Sequence, residues 1–338
     1  MKTLIQAAEV WVPDAEGHLL VLSAGLYGSA AEFGAVSRSM CFGRGEGLPG
    51  RVWEEGRPLL LKDLQGGYFL RAAAARRAGL ACAAAMPVYL GDQFKAVVVF
   101  FCGGEPAEAG AIELWRNNPR VTGDMTLVDG HYGAAAGAFA EASRDTYLPR
   151  GAGLPGLAWQ REGSVFLDGL PGSSKFLRAE AAGAAGIQRG LGLPCAAAGH
   201  EHFVLVLLGT AAMPVARRVE SWVVTAPRPM GTSIDPPGGS GPAWERPGAR
   251  PGAGAAGQGP QRAYGHCEIA GALPVGERAG TAGCLAKAFV SAVPQLSPNA
   301  AGEPEALGAS AAAAGLDGMI VLPIARDGVV AEAVALYF

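Results

Sequence analysis

Charge is scarce in this sequence. Asp, Glu, Lys and Arg make up 17% of 338 residues, and the net charge is −3. A weakly negative chain lacks the basic surface that nucleic acid or an acidic membrane would attract. No apolar run approaches the ~20 residues that span a bilayer. Coiled-coil heptads are missing too. Met1-Lys2-Thr3-Leu4-Ile5-Gln6 runs straight into a strand-like segment, which predicts no signal peptide and a soluble, cytoplasmic chain. Six cysteines (Cys41, Cys82, Cys102, Cys195, Cys267 and Cys284) form no CxxC pair and no zinc spacing, so they read as small buried hydrophobes in a reducing compartment. No phosphate-cradling loop, catalytic triad or paired-carboxylate motif stands out, and the expectation is a protein that is not an enzyme.

Glycine (51) and proline (24) are abundant, and half of the residues are hydrophobic, enough to fill several cores. The glycines and prolines fall in a repeating order. Gly47-Leu48-Pro49-Gly50-Arg51-Val52-Trp53 recurs 106 residues later (153 − 47) as Gly153-Leu154-Pro155-Gly156-Leu157-Ala158-Trp159. Phe69-Leu70-Arg71-Ala72 recurs as Phe176-Leu177-Arg178-Ala179. Three further landmarks occur three times each: Glu9/Trp11, Glu113/Trp115 and Glu220/Trp222; Gly79, Gly186 and Gly315 after alanine; and Pro87, Pro194 and Pro323, each eight residues beyond that glycine. Constant spacing of this kind marks tandem copies. The boundaries read as 1–105, 106–212 and 213–338.

In copy one, strands are expected at Ala8–Val12, Gly17–Leu26 and Ser37–Phe42. The Gly-Leu-Pro-Gly turn then opens a helix that ends at Glu55, before Gly56 and Pro58. A short strand at Leu59–Leu61 precedes an alanine-rich helix over Phe69–Ala78. Two strands follow, Ala81–Leu90 and Phe94–Phe101; the latter is apolar on both faces, as a central strand is. Copy two repeats this order. Copy three reads as degenerate: Gly280-Thr281-Ala282-Gly283 stands for Gly-Leu-Pro-Gly, Ala286 stands where tryptophan was, and the Leu-Arg pair is lost. Its Pro/Gly/Ala-rich stretch at about 227–265 reads as a disordered insert.

The strand order, the Gly-Leu-Pro-Gly-Arg-Val-Trp helix, the Phe-Leu-Arg-Ala helix and the closing strand-Pro-strand resemble the GAF domain family. Glu9-Val10-Trp11-Val12-Pro13-Asp14 and Gly45-Glu46-Gly47-Leu48-Pro49-Gly50 are similar to segments of sensory GAF domains in bacterial histidine kinases, and to the N-terminal module of plant nitrate-responsive transcription factors. The resemblance implies an α+β fold: three tandem GAF-like domains, each an antiparallel sheet of about six strands with helices on one face and a small-molecule pocket on the other, the third domain degenerate. It also implies a sensor that binds a small molecule in copy one or two. The sequence shows no output segment, so the signal would pass to a protein partner or through self-association.

Candidate ligand-binding residues are Arg71, Trp53, Phe69, Met86, Tyr89, Arg178, Trp159 and Phe176. A guanidinium at Arg71 or Arg178 forks an anion such as a carboxylate or nitrate, or else is structural, beside the Asp63 loop. The tryptophans stack on a ligand or fill a core. Leu70-Arg71 and Leu177-Arg178 stand where bilin-binding relatives carry their Cys-His, so no covalent bilin cofactor is expected. His200-Glu201-His202 offers two imidazoles but no third ligand, so no metal is assigned. Two alternatives stay open: an interaction scaffold with filled pockets and, more distantly, a free methionine sulfoxide reductase that uses Cys41, Cys82 and Cys102.

Overall fold

Alternation in one strand sets the architecture. In the run Val97–Phe101 every side chain is buried, but on two different sides. Val97, Val99 and Phe101 pack under helices of their own copy, whereas Val98 and Phe100 enter a core shared with the rest of the chain. The computed structural model describes residues 2–103, 109–133, 137–197, 199–224, 259–268 and 270–338. Most of the expected insert at about 227–265 lies outside the described residues.

The first sheet contains β1 (Ile5–Pro13), β2 (Leu20–Leu26), β3 (Cys41–Phe42), β4 (Leu59–Leu61), β5 (Leu80–Leu90) and β6 (Gln93–Gly103). Its order is β3-β2-β1-β6-β5-β4, with neighbouring strands antiparallel. Helices α1 (Ala31–Arg38), α2 (Gly47–Glu55) and α3 (Ala72–Arg77) cover one face. The second sheet has five strands, β7 (Ala109–Asn117), β8 (Met125–Gly133), β9 (Val165–Leu167), β10 (Ile187–Cys195) and β11 (His202–Thr210), in the order β8-β7-β11-β10-β9. Helices α4 (Ala138–Arg144), α5 (Gly153–Arg161) and α6 (Ala179–Ala184) belong to it. The third has β12 (Arg218–Val223), β13 (Gln261–Cys267), β14 (Gly271–Ala272), β15 (Gln295–Ser297), β16 (Met319–Arg326) and β17 (Val329–Tyr337), with α7 (Gly283–Ser291) and α8 (Glu305–Ala313). Its order, β14-β13-β12-β17-β16-β15, is that of the first sheet. Among the described residues the fold is therefore α+β with three antiparallel sheets.

The opposite faces of the three sheets meet. Phe100, Leu205 and Leu336 belong to one apolar cluster with Met86, Leu193 and Leu322. Where the resemblance implied a pocket on that face, the sheets cover one another. Polar links reinforce the seams. The Ser164 amide, next to β9 of the second sheet, donates to Glu332 on β17 of the third at 3.0 Å. Lys62 and Asp129 pair at 2.8 Å between the first and second sheets.

Two sequence expectations are corrected. Ser37–Phe42 is not a strand: Ala31–Arg38 is helical, and only Cys41–Phe42 pairs with β2. The Ser37 hydroxyl bonds back to the Phe33 carbonyl one turn earlier, a local bond that a helix permits. In the third copy, α7 opens at Gly283 with φ +85°, as α2 opens at Gly47 with φ +56° and α5 at Gly153 with φ +64°. Counting from these glycines, Phe289 rather than Ala286 occupies the tryptophan's place, and it packs against the third helix-side core.

Candidate functional site

Each sheet holds a buried carboxylate in the middle of the strand that opens its sequence, β1, β7 or β12. Glu9, Glu113 and Glu220 have no exposed surface. Each accepts the indole N–H of the tryptophan two residues on, at 2.9 Å for Trp11 and Trp115 and 3.2 Å for Trp222. Period-two geometry places both side chains on one face, which is why Glu-x-Trp recurs. A buried carboxylate needs a cation. Arg71 reaches Glu9 at 2.6 Å from the N-terminal end of α3, and Arg178 reaches Glu113 through two nitrogens at 2.5 and 2.9 Å from the corresponding position before α6. The Ser37 and Ser143 hydroxyls also contact these guanidiniums. Burial pushes the Glu113 carboxyl up, but Arg178, Ser143 and Trp115 outweigh it and hold the group below its ordinary value.

The third sheet has a carboxylate at the matching place and takes its cations from strands. Arg218, two residues before Glu220 on β12, and Arg262 on β13 both pair with Glu220, Arg262 at 2.8 Å. The Tyr337 hydroxyl donates to the same group at 2.8 Å. The missing Leu-Arg pair is thus made good from the strands.

Aromatic rings enclose the first guanidinium. Trp11, Phe33, Phe42, Phe69 and Phe101 have ring centres 4.6–5.7 Å from the Arg71 guanidinium carbon. Around Arg178 the rings are Trp115, Phe139 and Phe176, at 4.9–5.0 Å. Arg71 Nη2 is buried without a hydrogen-bond partner.

The eight candidate residues divide between two places. Arg71 and Phe69 lie in the first buried network, and Arg178 and Phe176 in the second. Met86, Tyr89 and Trp159 line a cavity of about 350 Å³ where one end of all three sheets converges. Trp53 is close by in the first repeat: it stacks on Phe94 at 5.8 Å beneath Arg44, and Phe94 packs edge-on against Tyr89. The repeating prolines Pro87, Pro194 and Pro323 all line this cavity. Each lies two residues beyond the last residue that pairs with the short edge strand of its sheet (Ala85, Gly192 and Val321), where a missing N–H costs no ladder bond to that strand. Arg326, Glu162 and His202 also line the cavity. Sequence reading missed Arg326 and Glu162, because nothing local marks residues that meet only when sheets pack.

The structure brings His131 on β8 to Cys82 on β5. Cys82 is directly opposite Cys102 on β6. A hydrogen bond from Cys102, opposed by burial and aided by His131, lowers the Cys82 thiol to about 6. Both thiols lie in the shared core, while Cys41 is exposed on β3. Among the described residues no group of three or more His, Cys, Asp or Glu side chains is placed to hold a metal ion.

Comparison with known proteins places the first repeat. Residues 1–117 match the GAF domain family model, so the first sheet and its helices form a GAF domain. Similar solved structures include the nlh2 GAF domain of A. aeolicus in an inactive state, 21% identical over 30% of this chain and 59% of that one, with a TM-score of 0.25. Another is the free methionine-R-sulfoxide reductase of Neisseria meningitidis with its substrate, 13% identical over 29% of this chain and 52% of that one, with a TM-score of 0.23. A third is the NreA protein of Staphylococcus aureus mutated in its nitrate-binding site, 13% identical over 29% of this chain and 75% of that one, with a TM-score of 0.25. The match thus spans between half and three-fifths of the first two structures. No curated protein matches the chain. Among the described residues no helix is long and apolar enough to cross a membrane.

Proposed function

We propose that the chain is a non-catalytic regulatory protein that binds a small molecule and passes the change to a protein partner or to a second copy of itself. The observation that supports this reading is where the ligand-sized spaces lie. The 350 Å³ cavity is a seam of the three sheets, and a second space of about 490 Å³ lies between the first and third, beside Ile5, Leu26, Pro298 and Phe338. Both fall in the range of small-molecule pockets. A ligand at a seam changes how sheets pack, and the shared core carries that change to all three.

In this reading Arg71 and Arg178 neutralise Glu9 and Glu113, and ligand contacts fall to Met86, Tyr89 and Trp159. The unpartnered Nη2 of Arg71 still favours an acceptor there, so a small anion at Arg71 is a subsidiary site to test. The scaffold reading draws on a different observation: aromatic side chains fill the helix-side core of the first two repeats.

Native mass spectrometry of the purified chain distinguishes the two. The expected result is a copurified small molecule that is lost in Ala196→Trp, which places an indole in the convergent cavity. Absence of any bound molecule, with no thermal stabilisation across a metabolite library, leaves the scaffold.

A further inference from the structure

The three sheets close on one another through matching places, which the strand register identifies. Gly25, Gly130 and Gly265 each lie opposite the buried glutamate of their sheet; Leu26, His131 and His266 follow them, with Gly28, Gly133 and Glu268 two residues further on. Gly79, Gly186 and Gly315 all have positive φ, at +71°, +70° and +60°, and the third residue beyond each is Cys82, Arg189 or Gly318. The residue after the short edge strand is Lys62, Asp168 or Pro298. At each seam the last two kinds of place, from one sheet, face the first kind, from another.

Two of the seams fill these places with side chains. Between the second and third sheets, Arg189 pairs with Asp168 at 2.8 Å and with Glu268, and the His266 ring nitrogens lie 3.8 and 3.7 Å from the same two carboxylates. Between the first and second, His131 meets the Cys82 thiol, and Lys62 pairs with Asp129 at 2.8 Å. Between the third and first, the four places hold Gly318, Pro298, Leu26 and Gly28, and all four line the cavity of about 490 Å³. A Cβ on Gly318 would lie 2.8 Å from Leu26 Cδ1, so this place faces the first sheet across the gap. The cavity thus stands where the other two seams carry side chains.

The lining defines what can enter. Ile5 and Ala8 are buried in it, and Leu26 and Phe338 are half-buried. Apolar walls that face unfilled space lose packing contacts, which an apolar body would supply. Among the described lining residues the charged ones are Lys2 and Asp317, one of each sign and both exposed. The lining thus offers an ion no net countercharge, and burying an ion against these walls would be costly. We infer that the seam between the third and first sheets binds an uncharged, mainly apolar small molecule, which takes the place that the charged quartet occupies between the second and third. This site is separate from the convergent cavity, so it goes beyond the reading above.

The test is calorimetry on the full chain at neutral pH with indole, beside indole-3-acetate and tryptamine, and with 1-octanol, beside octanoate and octylamine. At least one neutral probe is expected to bind about tenfold or more tighter than both of its charged counterparts. Gly318→Leu, which sets a side chain against Leu26, is expected to abolish that binding. Pro298→Trp, at an exposed place on the lining, is expected to weaken it about tenfold and keeps the test open if Gly318→Leu does not fold. Ala196→Trp, in the convergent cavity, is expected to leave it unchanged. Equal or tighter binding of a charged counterpart overturns the inference, as does neutral binding that survives Pro298→Trp or is lost in Ala196→Trp. No binding by either neutral probe also overturns it; a copurified molecule lost in Ala196→Trp would then leave the small-molecule reading standing, and the lack of one would overturn both.

Discussion

Glu113 is wholly buried, and its stability contribution depends on the guanidinium of Arg178. Removing one partner of such a pair strands the other charge. Arg178→Met should therefore destabilise the chain by about 3–5 kcal/mol, and Glu113→Gln added to it should restore much of the loss. Urea denaturation of the two variants checks this. The pH dependence has a defined sign. The folded carboxyl titrates below its ordinary value of 4.5, so the unfolded chain takes up protons first as pH falls. The contribution is complete above about pH 4.5 and is lost as pH drops through the lower folded value; urea midpoints at pH 7, 4.5 and 3 should fall in that order. Trp53→Ala should cost about 3–5 kcal/mol, because its side chain is buried against Phe94. Trp159→Ala should cost less, since that ring is half-buried at the cavity mouth. The tryptophans, Arg71 and Arg178 stood out in the sequence as recurring residues. Their carboxylate partners also recurred, but Glu-x-Trp reads as a landmark until the strand places both side chains on the face where the arginine arrives.

The helices α2 and α5 share a start that sequence reading recognised and a reason that only packing supplies. A Cβ on Gly50 would lie 2.0 Å from the Gly43 carbonyl oxygen, and one on Gly156 would lie 2.3 Å from that of Pro149. Backbone cannot yield as a side-chain tip can, so Gly50→Ala should destabilise the chain by about 1–3 kcal/mol, whereas Asp92→Ala, at an exposed turn, should change little. Thermal melts of both variants check this. Elements with strong periodicity, such as β6, β16 and β17, were legible in outline. Helix α1 was not, because eight residues with glycine at Gly34 and serine at Ser37 carry weak local preference; Phe33 holds it down by packing into the helix-side core. The third copy misled for a related reason. Matching glycines by composition set its helix three residues early, and the replacement arginines sit on strands where no motif announces them.

At the scale of the molecule, the sheets meet through one continuous apolar cluster. Residues 1–105 alone would expose Val10, Val98 and Phe100, all of which have no accessible surface in the whole chain. That fragment should self-associate or fail to fold, and the full chain should unfold in one cooperative step by calorimetry. Three separable transitions would show instead that each repeat stands on its own core. The seams, and with them the convergent cavity, were illegible in the sequence: repeats advertise how a unit folds on itself, but not which of its faces is left for a neighbour.

The buried carboxylates at Glu9, Glu113 and Glu220 bear on how such a chain changes over generations. An open array of repeats gains or loses members one at a time, because each touches only the next. Here every sheet contributes to one shared apolar cluster, so removing one would expose the apolar faces of the others. Change is then expected by substitution inside a unit rather than by loss or gain of one. The third sheet shows what such a substitution would look like: Glu220 meets arginines on two strands, where Glu9 and Glu113 each meet one at the approach to a helix. A charge that cannot be left alone even briefly requires the new cation to be in place before the old one goes, so an ancestor with both is the expected intermediate.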